Sequence, residues 1–207
     1  ILQCAAAVAQ AAGDASVPCS IHLTERVFPN IHPVKMVGTS AETKQKIDLL
    51  KEGCETAKNY DEKIVQVVGQ LACVDHNILV ANTEGLLTTN RSIRSRMFIN
   101  AIASDGNENQ SGYDAPGSGS GLEFFEKVTP RSIGLKAAKQ AMTNLGAVYC
   151  PAGKMMVAIE NGFGGVIFHE ACGHSLEATA VATGRSEMAG KLGQRIACEK
   201  VTAIDDG

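Results

Sequence analysis

Ile64-Val65-Gln66-Val67-Val68 and Asn77-Ile78-Leu79-Val80-Ala81, then Asn82-Thr83-Glu84-Gly85 and the run Leu86 to Ala103, decide how this 207-residue chain folds. The two quoted runs are rich in β-branched and aliphatic residues, and Asn82 to Gly85 has the composition of a hairpin turn. From Leu86 to Ala103 the pattern alternates, with Ile93, Met97, Ile99 and Ala101 set against Arg94, Arg96 and Asn100. A period of two places the first group on one face of a strand and the second on the other. The expectation is an antiparallel β meander with one buried face.

On the N-terminal side, residues 41 to 58 read as an amphipathic helix. Thr39 and Glu42 have capping-box spacing, and Ile47, Leu50, Cys54 and Ala57 fall on one helical face. Ser20 to Val27 and Pro33 to Val37 read as short strands. On the C-terminal side, Ser104 to Gly121 is rich in Gly, Ser, Asn and Asp and reads as a flexible loop. Its Gly117-Ser-Gly-Ser-Gly121 lacks the Lys-Ser/Thr and the feeding strand that a phosphate-binding loop requires. Thr129-Pro130 then opens a second helix, with Thr as N-cap and Pro at the first helical position. Ile133, Ala137, Ala141 and Leu145 form its buried stripe, and Gly146 closes it. Pro151-Ala152-Gly153 marks a junction. Beyond it, Lys154 to Ile159 reads as a strand leading through Gly162, Gly164 and Gly165 into a helix that ends near Gly184. Val201 to Ile204 reads as a last strand. The fold class expected is α+β: an N-terminal domain over 1–152 with helices packed on the meander, then the start of a second, mainly β domain over 153–207.

Composition narrows the functional classes. Hydrophobic residues make up 44% and charged residues 20%, as in ordinary globular proteins. Trp is absent and aromatics are 4%, so the core is built from aliphatic side chains. A net charge of -3 gives no general attraction to nucleic acid or to anionic membranes. Arg91, Arg94 and Arg96 are read as the solvated face of the long strand rather than as a phosphate site. No apolar run approaches the ~20 residues of a membrane helix. Ile1 to Ala12 is apolar but lacks the basic start of a signal peptide, and reads as the tail of a helix. Seven cysteines, an odd number without Cys-x-x-Cys, suit reduced thiols in the cytoplasm.

The chemistry is concentrated in His169-Glu170-Ala171-Cys172-Gly173-His174. Imidazole nitrogens are good zinc ligands, and a carboxylate beside them can take a proton from an activated water. The alternative is a buried helix with two satisfied histidines. The spacing is unusual. Zinc-protease helices place two histidines at i and i+4, whereas here they stand at i and i+5, ~140° apart on a regular α-helix. One inserted residue, as in a π-bulge, would bring them together. Gly173 is the residue best able to absorb that distortion. Glu170 would then lie beside the metal as a general base.

The stretch Glu160-Asn-Gly-Phe-Gly-Gly-Val-Ile-Phe-His-Glu-Ala-Cys-Gly-His-Ser-Leu-Glu177 resembles the TldD branch of the TldD/PmbA metallopeptidases. So do Gly190 to Ala197, Val201 to Gly207, Phe124-Phe125-Glu126 and the Thr129-Pro130 helix. The resemblance implies a cytoplasmic peptidase acting on unfolded or small peptides, with His169 and His174 as metal ligands and Glu170 as the catalytic carboxylate. Zinc is the expected metal. It also implies pairing with a related PmbA-type subunit that lacks the motif. A further ligand, a cysteine, comes in the family from deep in the C-terminal domain, so it is expected beyond Gly207. The start at Ile1 and the stop at Gly207 fit an internal fragment of a protein about twice as long, and the fragment alone is expected to be inactive. Nothing in the family pattern asks for a ligand at Cys172, which is read as packing. Glu177 is either an orienting partner for an imidazole or a solvent-facing carboxylate. The rival function is a non-catalytic regulatory subunit modulating gyrase or toxin–antitoxin partners.

Overall fold

The computed structural model describes residues 21–160, 162 and 164–204. The Ile1 to Ala12 segment lies outside them. The chain divides into two compact units, with the boundary between Tyr149 and Cys150.

The first unit is built on a hairpin of two long strands, β2 (Ile64–Ala81) and β3 (Leu86–Ser104). They run antiparallel in register from Gln66↔Ile102 to Ala81↔Leu87, with one irregularity at Ile64/Gln66. The turn forms for local reasons. Asn82 Oδ1 accepts the N–H groups of Glu84 and Leu86, both at 3.1 Å. Gly85 takes a φ of 88°, a left-handed conformation open to glycine at no steric cost. The other edge of β3 is covered in pieces. The two-residue strand β1 (Thr24–Glu25) pairs parallel with Leu86–Leu87, and antiparallel partners follow from β4 (Asn109–Asp114) and β5 (Gly117–Ser118).

Two sixteen-residue helices lie on the sheet: α1 (Thr43–Lys58) and, after the single turn α2 (Phe124–Lys127), α3 (Pro130–Leu145). The alternation of β3 decides which face they cover. Met97, Ile99, Ala101 and Ala103 are fully buried, and with Ile64, Ala57, Ile133, Ala137, Ala138 and Ala141 they form the core. The Thr129 cap is as expected, its hydroxyl accepting the Ser132 N–H at 3.2 Å. Arg91 stands on the exposed side and forms a two-pronged ion pair with Asp75, at 2.8 and 2.7 Å.

Several local expectations are corrected. Helix α1 begins at Thr43, and its N-cap Glu42 makes no side-chain cap, so no capping box forms. Ile47 faces solvent, and Gly53 and Ala57 are the residues of that helix that are buried. Pro33 to Val37 is not a strand. It is held by Glu123, whose carboxylate accepts the N–H groups of Lys35 at 3.0 Å, Met36 at 2.9 Å and Gly121 at 3.2 Å. Ser104 to Gly121 contains β4 and β5 and is no flexible loop. Gly112 explains why: a Cβ there would lie 2.2 Å from Ala141 N and 2.4 Å from Ala137 O, so the strand passes directly beneath α3. The composition that suggested flexibility is what allows this contact.

The second unit is described separately. Lys154 to Ile159 and Val201 to Ile204 form no ladder among the described residues, so neither is a strand. The residues of this unit that carry regular structure are helical. They are α4 (Gly165–Phe168), a π-turn over His169–Gly173, a 3₁₀ turn over His174–Leu176, and α5 (Ala178–Ala182). Gly184, with φ 68°, ends the run where the sequence placed its end.

Candidate metal centre

The π-turn solves the spacing problem. His174 N–H bonds to the His169 carbonyl, an i→i−5 bond in place of the usual i→i−4. This extra residue per turn brings the two imidazoles onto one side, with ring centroids 4.4 Å apart and planes at 65°. The distortion does not depend on a glycine-only conformation. Gly173 has φ -59° and ψ -51°, ordinary for any residue. A Cβ at Gly173 would come no closer than 3.5 Å to the His169 ring. The expectation that Gly173 absorbs the strain is therefore corrected.

One donor atom from each of His169, Glu170 and His174 lies within 4.8 Å of the others. All three residues are exposed. Cys172 is half-buried and stands outside this donor group. Glu177 follows the 3₁₀ turn with φ -60° and ψ 131°, which ends the helical run after it. Its Oε1 lies 2.7 Å from His174 Nδ1. Hydrogen bonding by Glu177 is the main cause that raises the His174 pKa above its ordinary value, and the Glu177 charge adds to it. With Nδ1 so engaged, Nε2 is the nitrogen left to bind, and it lies 3.7 Å from Glu170 Oε2. A carboxylate that fixes one imidazole nitrogen while the other ligates is a recurrent arrangement in metal sites.

The donor set fits a divalent transition metal: two imidazoles, borderline-soft and uncharged, with a carboxylate at hand. His169 and His174 would hold it. The first turn of this helical run also borders an open groove of about 840 Å³, lined by Ala158, Ile159, Glu160, Gly164, Val166, Ile167, Glu170 and Ala171. Gly164 allows a close approach of the preceding residues: a Cβ there would meet Glu160 O at 2.2 Å and Ile159 Cγ2 at 2.4 Å. Sequence reading did not single out Glu160, since no spacing marks it. Its placement follows from this backbone contact.

Comparison with known proteins agrees with the architecture. Residues 38–145 match the PmbA/TldA metallopeptidase central domain, and residues 152–207 match the C-terminal domain of the same family. A metalloprotease TldD homolog of Haemophilus influenzae is 30% identical over 99% of this chain and 44% of its own length. A metalloprotease of Methanothermobacter thermautotrophicus is 38% identical over 60% of this chain and 28% of its own. The chain thus spans less than half the length of these relatives. A crystal structure from Thermotoga maritima, described as a candidate modulator of a DNA gyrase, superposes with a TM-score of 0.59 at 22% identity. That match covers 86% of this chain and 41% of the other, and shows the shared fold. With both domain profiles matched in order along it, the chain belongs to the PmbA/TldA metallopeptidase family.

Proposed function

We propose that this chain carries the catalytic motif of a zinc-type metallopeptidase acting on unfolded or small peptides. The observation that carries the reading is the π-turn that gathers His169, Glu170 and His174. A binding subunit has no use for two exposed imidazoles and a carboxylate so placed. The family and the metalloprotease relatives support a hydrolase of this kind. When bound, the metal would polarise a peptide carbonyl and lower the pKa of water to ~7.

His169 Nε2 or Nδ1 and His174 Nε2 supply imidazole donors. Glu177 holds the His174 ring in position through Nδ1. Glu170, 66% exposed, is free to accept the proton of the attacking water and to return it to the leaving amine nitrogen. Catalytic zinc sites usually have three protein ligands, so a further donor from the whole protein completes this reading. Pairing with a PmbA-type subunit and a cytoplasmic location are parts of the same proposal and rest on the family. Among the described residues no helix is long and apolar enough to cross a membrane.

The test uses the full-length protein. Glu170→Gln should keep its metal and lose peptide cleavage by about 10²–10⁴-fold, the usual contribution of a general base. His169→Ala and His174→Ala should each lower bound metal. Cleavage near the wild-type rate in Glu170→Gln, or unchanged metal in both histidine variants, would remove these residues from the mechanism.

A further inference from the structure

The segment that follows the motif turns back onto it. Helix α5 gives way to Gly184, whose φ of 68° is open to glycine without steric cost. Arg185 N–H reaches the Ala180 carbonyl at 3.0 Å, and Gly184 N–H reaches the Val181 carbonyl at 3.1 Å. This pair of bonds closes a helix end and reverses the chain. The reversal delivers Ser186 to the turn that carries His174. The Ser186 hydroxyl donates to the Ser175 carbonyl, eleven residues upstream, and accepts the Met188 N–H at 3.0 Å. A carbonyl only accepts, so the Met188 bond on the oxygen leaves the hydroxyl proton for Ser175. The Ser175 carbonyl needs such a donor. In a continuing α-helix it would accept the N–H of Thr179. The ψ of 131° at Glu177 redirects the chain before that residue, and among the described residues the Ser186 hydroxyl takes its place.

We propose that Ser186 is a positioning residue for the metal centre: by holding the Ser175 carbonyl it fixes the turn over His174–Leu176, and with it the direction of the His174 imidazole. The assignment rests on His174 being a metal ligand, as in the peptidase reading. Two other restraints act on His174. Its N–H is tied to the His169 carbonyl, which holds the start of the turn. Glu177 Oε1 holds the ring at Nδ1, 2.7 Å away. The far side of the turn has only the bond from Glu177 N–H to the His174 carbonyl, at 3.3 Å. A 3₁₀ turn has poorer hydrogen-bond geometry than an α-helix and is rarely sustained alone. A ligand must nonetheless be held within about 0.5 Å of its productive place. Ser186 supplies the missing restraint from outside the helical run. It is not part of the donor group of His169, Glu170 and His174, so it acts through His174 rather than on the metal.

The experiment measures zinc affinity of the full-length protein by competition with a chromophoric chelator, independently of peptide cleavage. Ser186→Ala should weaken zinc binding about three- to tenfold, the scale of one net hydrogen bond. Ser186→Thr keeps the hydroxyl and should restore the affinity. Thr183→Ala is the control. It removes a neighbouring hydroxyl that bonds the Thr179 carbonyl at 2.7 Å, outside the His174 turn, and should leave zinc affinity unchanged. Double variants separate positioning from a general loss of structure. On Glu170→Gln, which keeps the metal, Ser186→Ala should cost its full three- to tenfold, whereas on His174→Ala it should cost nothing further. Where Ser186→Ala does not fold, Ser186→Cys fills the same space with a weaker donor and is read in the same way. Wild-type affinity in the Ala or Cys variant would overturn the assignment. So would failure of Ser186→Thr to restore binding, or an equal loss on the His174→Ala background. Absence of zinc binding in the wild type would instead sink the metal reading itself, and this assignment with it.

Discussion

Gly134→Ala should destabilise the first unit, although alanine is the better helix former. Gly134 lies in the middle of α3, where a Cβ would sit 2.2 Å from Gly53 O and 3.1 Å from Gly53 C on α1. The obstacle is backbone, so no rotamer change relieves it. Restoring ordinary contact needs a separation of the two helices of roughly 1 Å, an overpacking strain of about 1–3 kcal/mol. Against it stands a gain of about 1 kcal/mol from helix propensity. The net expectation is a loss of up to about 2 kcal/mol, or a urea midpoint lower by up to roughly 1 M at a common m-value. The chain has no Trp, so far-UV circular dichroism is the suitable probe. Gly146→Ala is the control. Its φ is -90° and its nearest neighbours would be Met142 O at 3.8 Å and Thr143 O at 3.9 Å, so it should stay within about 0.5 kcal/mol of wild type. A Gly134→Ala midpoint at or above that of Gly146→Ala would refute the close crossing of α1 and α3.

Two further outcomes follow from side chains outside that crossing. Partial burial opposes ionisation of Glu123, but the N–H donors of Lys35, Met36 and Gly121 outweigh it and hold its pKa below the ordinary 4.5. A depressed folded pKa stabilises above the unfolded value and is lost as pH falls through the folded one. Glu123→Gln should therefore lower the urea midpoint at pH 7, and the two proteins should converge in acid below pH 4.5; a gap that persists to the lowest pH would show that the carboxylate charge is not what holds residues 35 and 36. Glu177→Ala should weaken metal binding by about 10–100-fold without abolishing it, as measured by titration of the full-length protein, and unchanged affinity would leave Glu177 as a surface carboxylate.

The hairpin of β2 and β3 was legible because alternation and burial are the same fact seen twice. Ile93, Met97, Ile99 and Ala101 were placed on one face from period alone; the last three are fully buried and Ile93 is half-buried. Helix α3 was legible for the same reason, with Thr129-Pro130 fixing its start. What escaped were elements whose signal is an absence. Gly112 in β4 has no side chain to mark a strand, and its glycine is needed only because Ala137 and Ala141 arrive from α3. Likewise Gly53 and Gly134 carry no apolar periodicity, yet they set how closely the two helices pack. Ile47 shows the converse error. Of the stripe Ile47, Leu50, Cys54 and Ala57, Ala57 is buried and Leu50 and Cys54 lie against Gly69 of β2, while Ile47 faces solvent. Local pattern gave the face, and tertiary contact decided where along the helix it is covered.

At the site, geometry could be deduced before it was seen because the constraint was overdetermined. Two histidines five residues apart cannot share a metal on a regular helix, so either the metal or the regular helix had to be given up. The i→i−5 bond from His174 to His169 shows that the regular helix is what gives way. The identity of the residue absorbing the strain was not deducible from type. Gly173 was the natural choice, yet its backbone is regular. The break comes later, at Glu177, whose extended backbone ends the 3₁₀ turn. The φ of -60° at Glu177 is still helical, so the carboxylate stands as an ordinary i+3 neighbour of His174, with Oε1 2.7 Å from Nδ1, leaving Nε2 toward Glu170. The extended ψ of 131° redirects the chain only after Glu177. The π-turn thus gathers the two imidazoles, and ordinary helical spacing supplies the carboxylate that orients one of them.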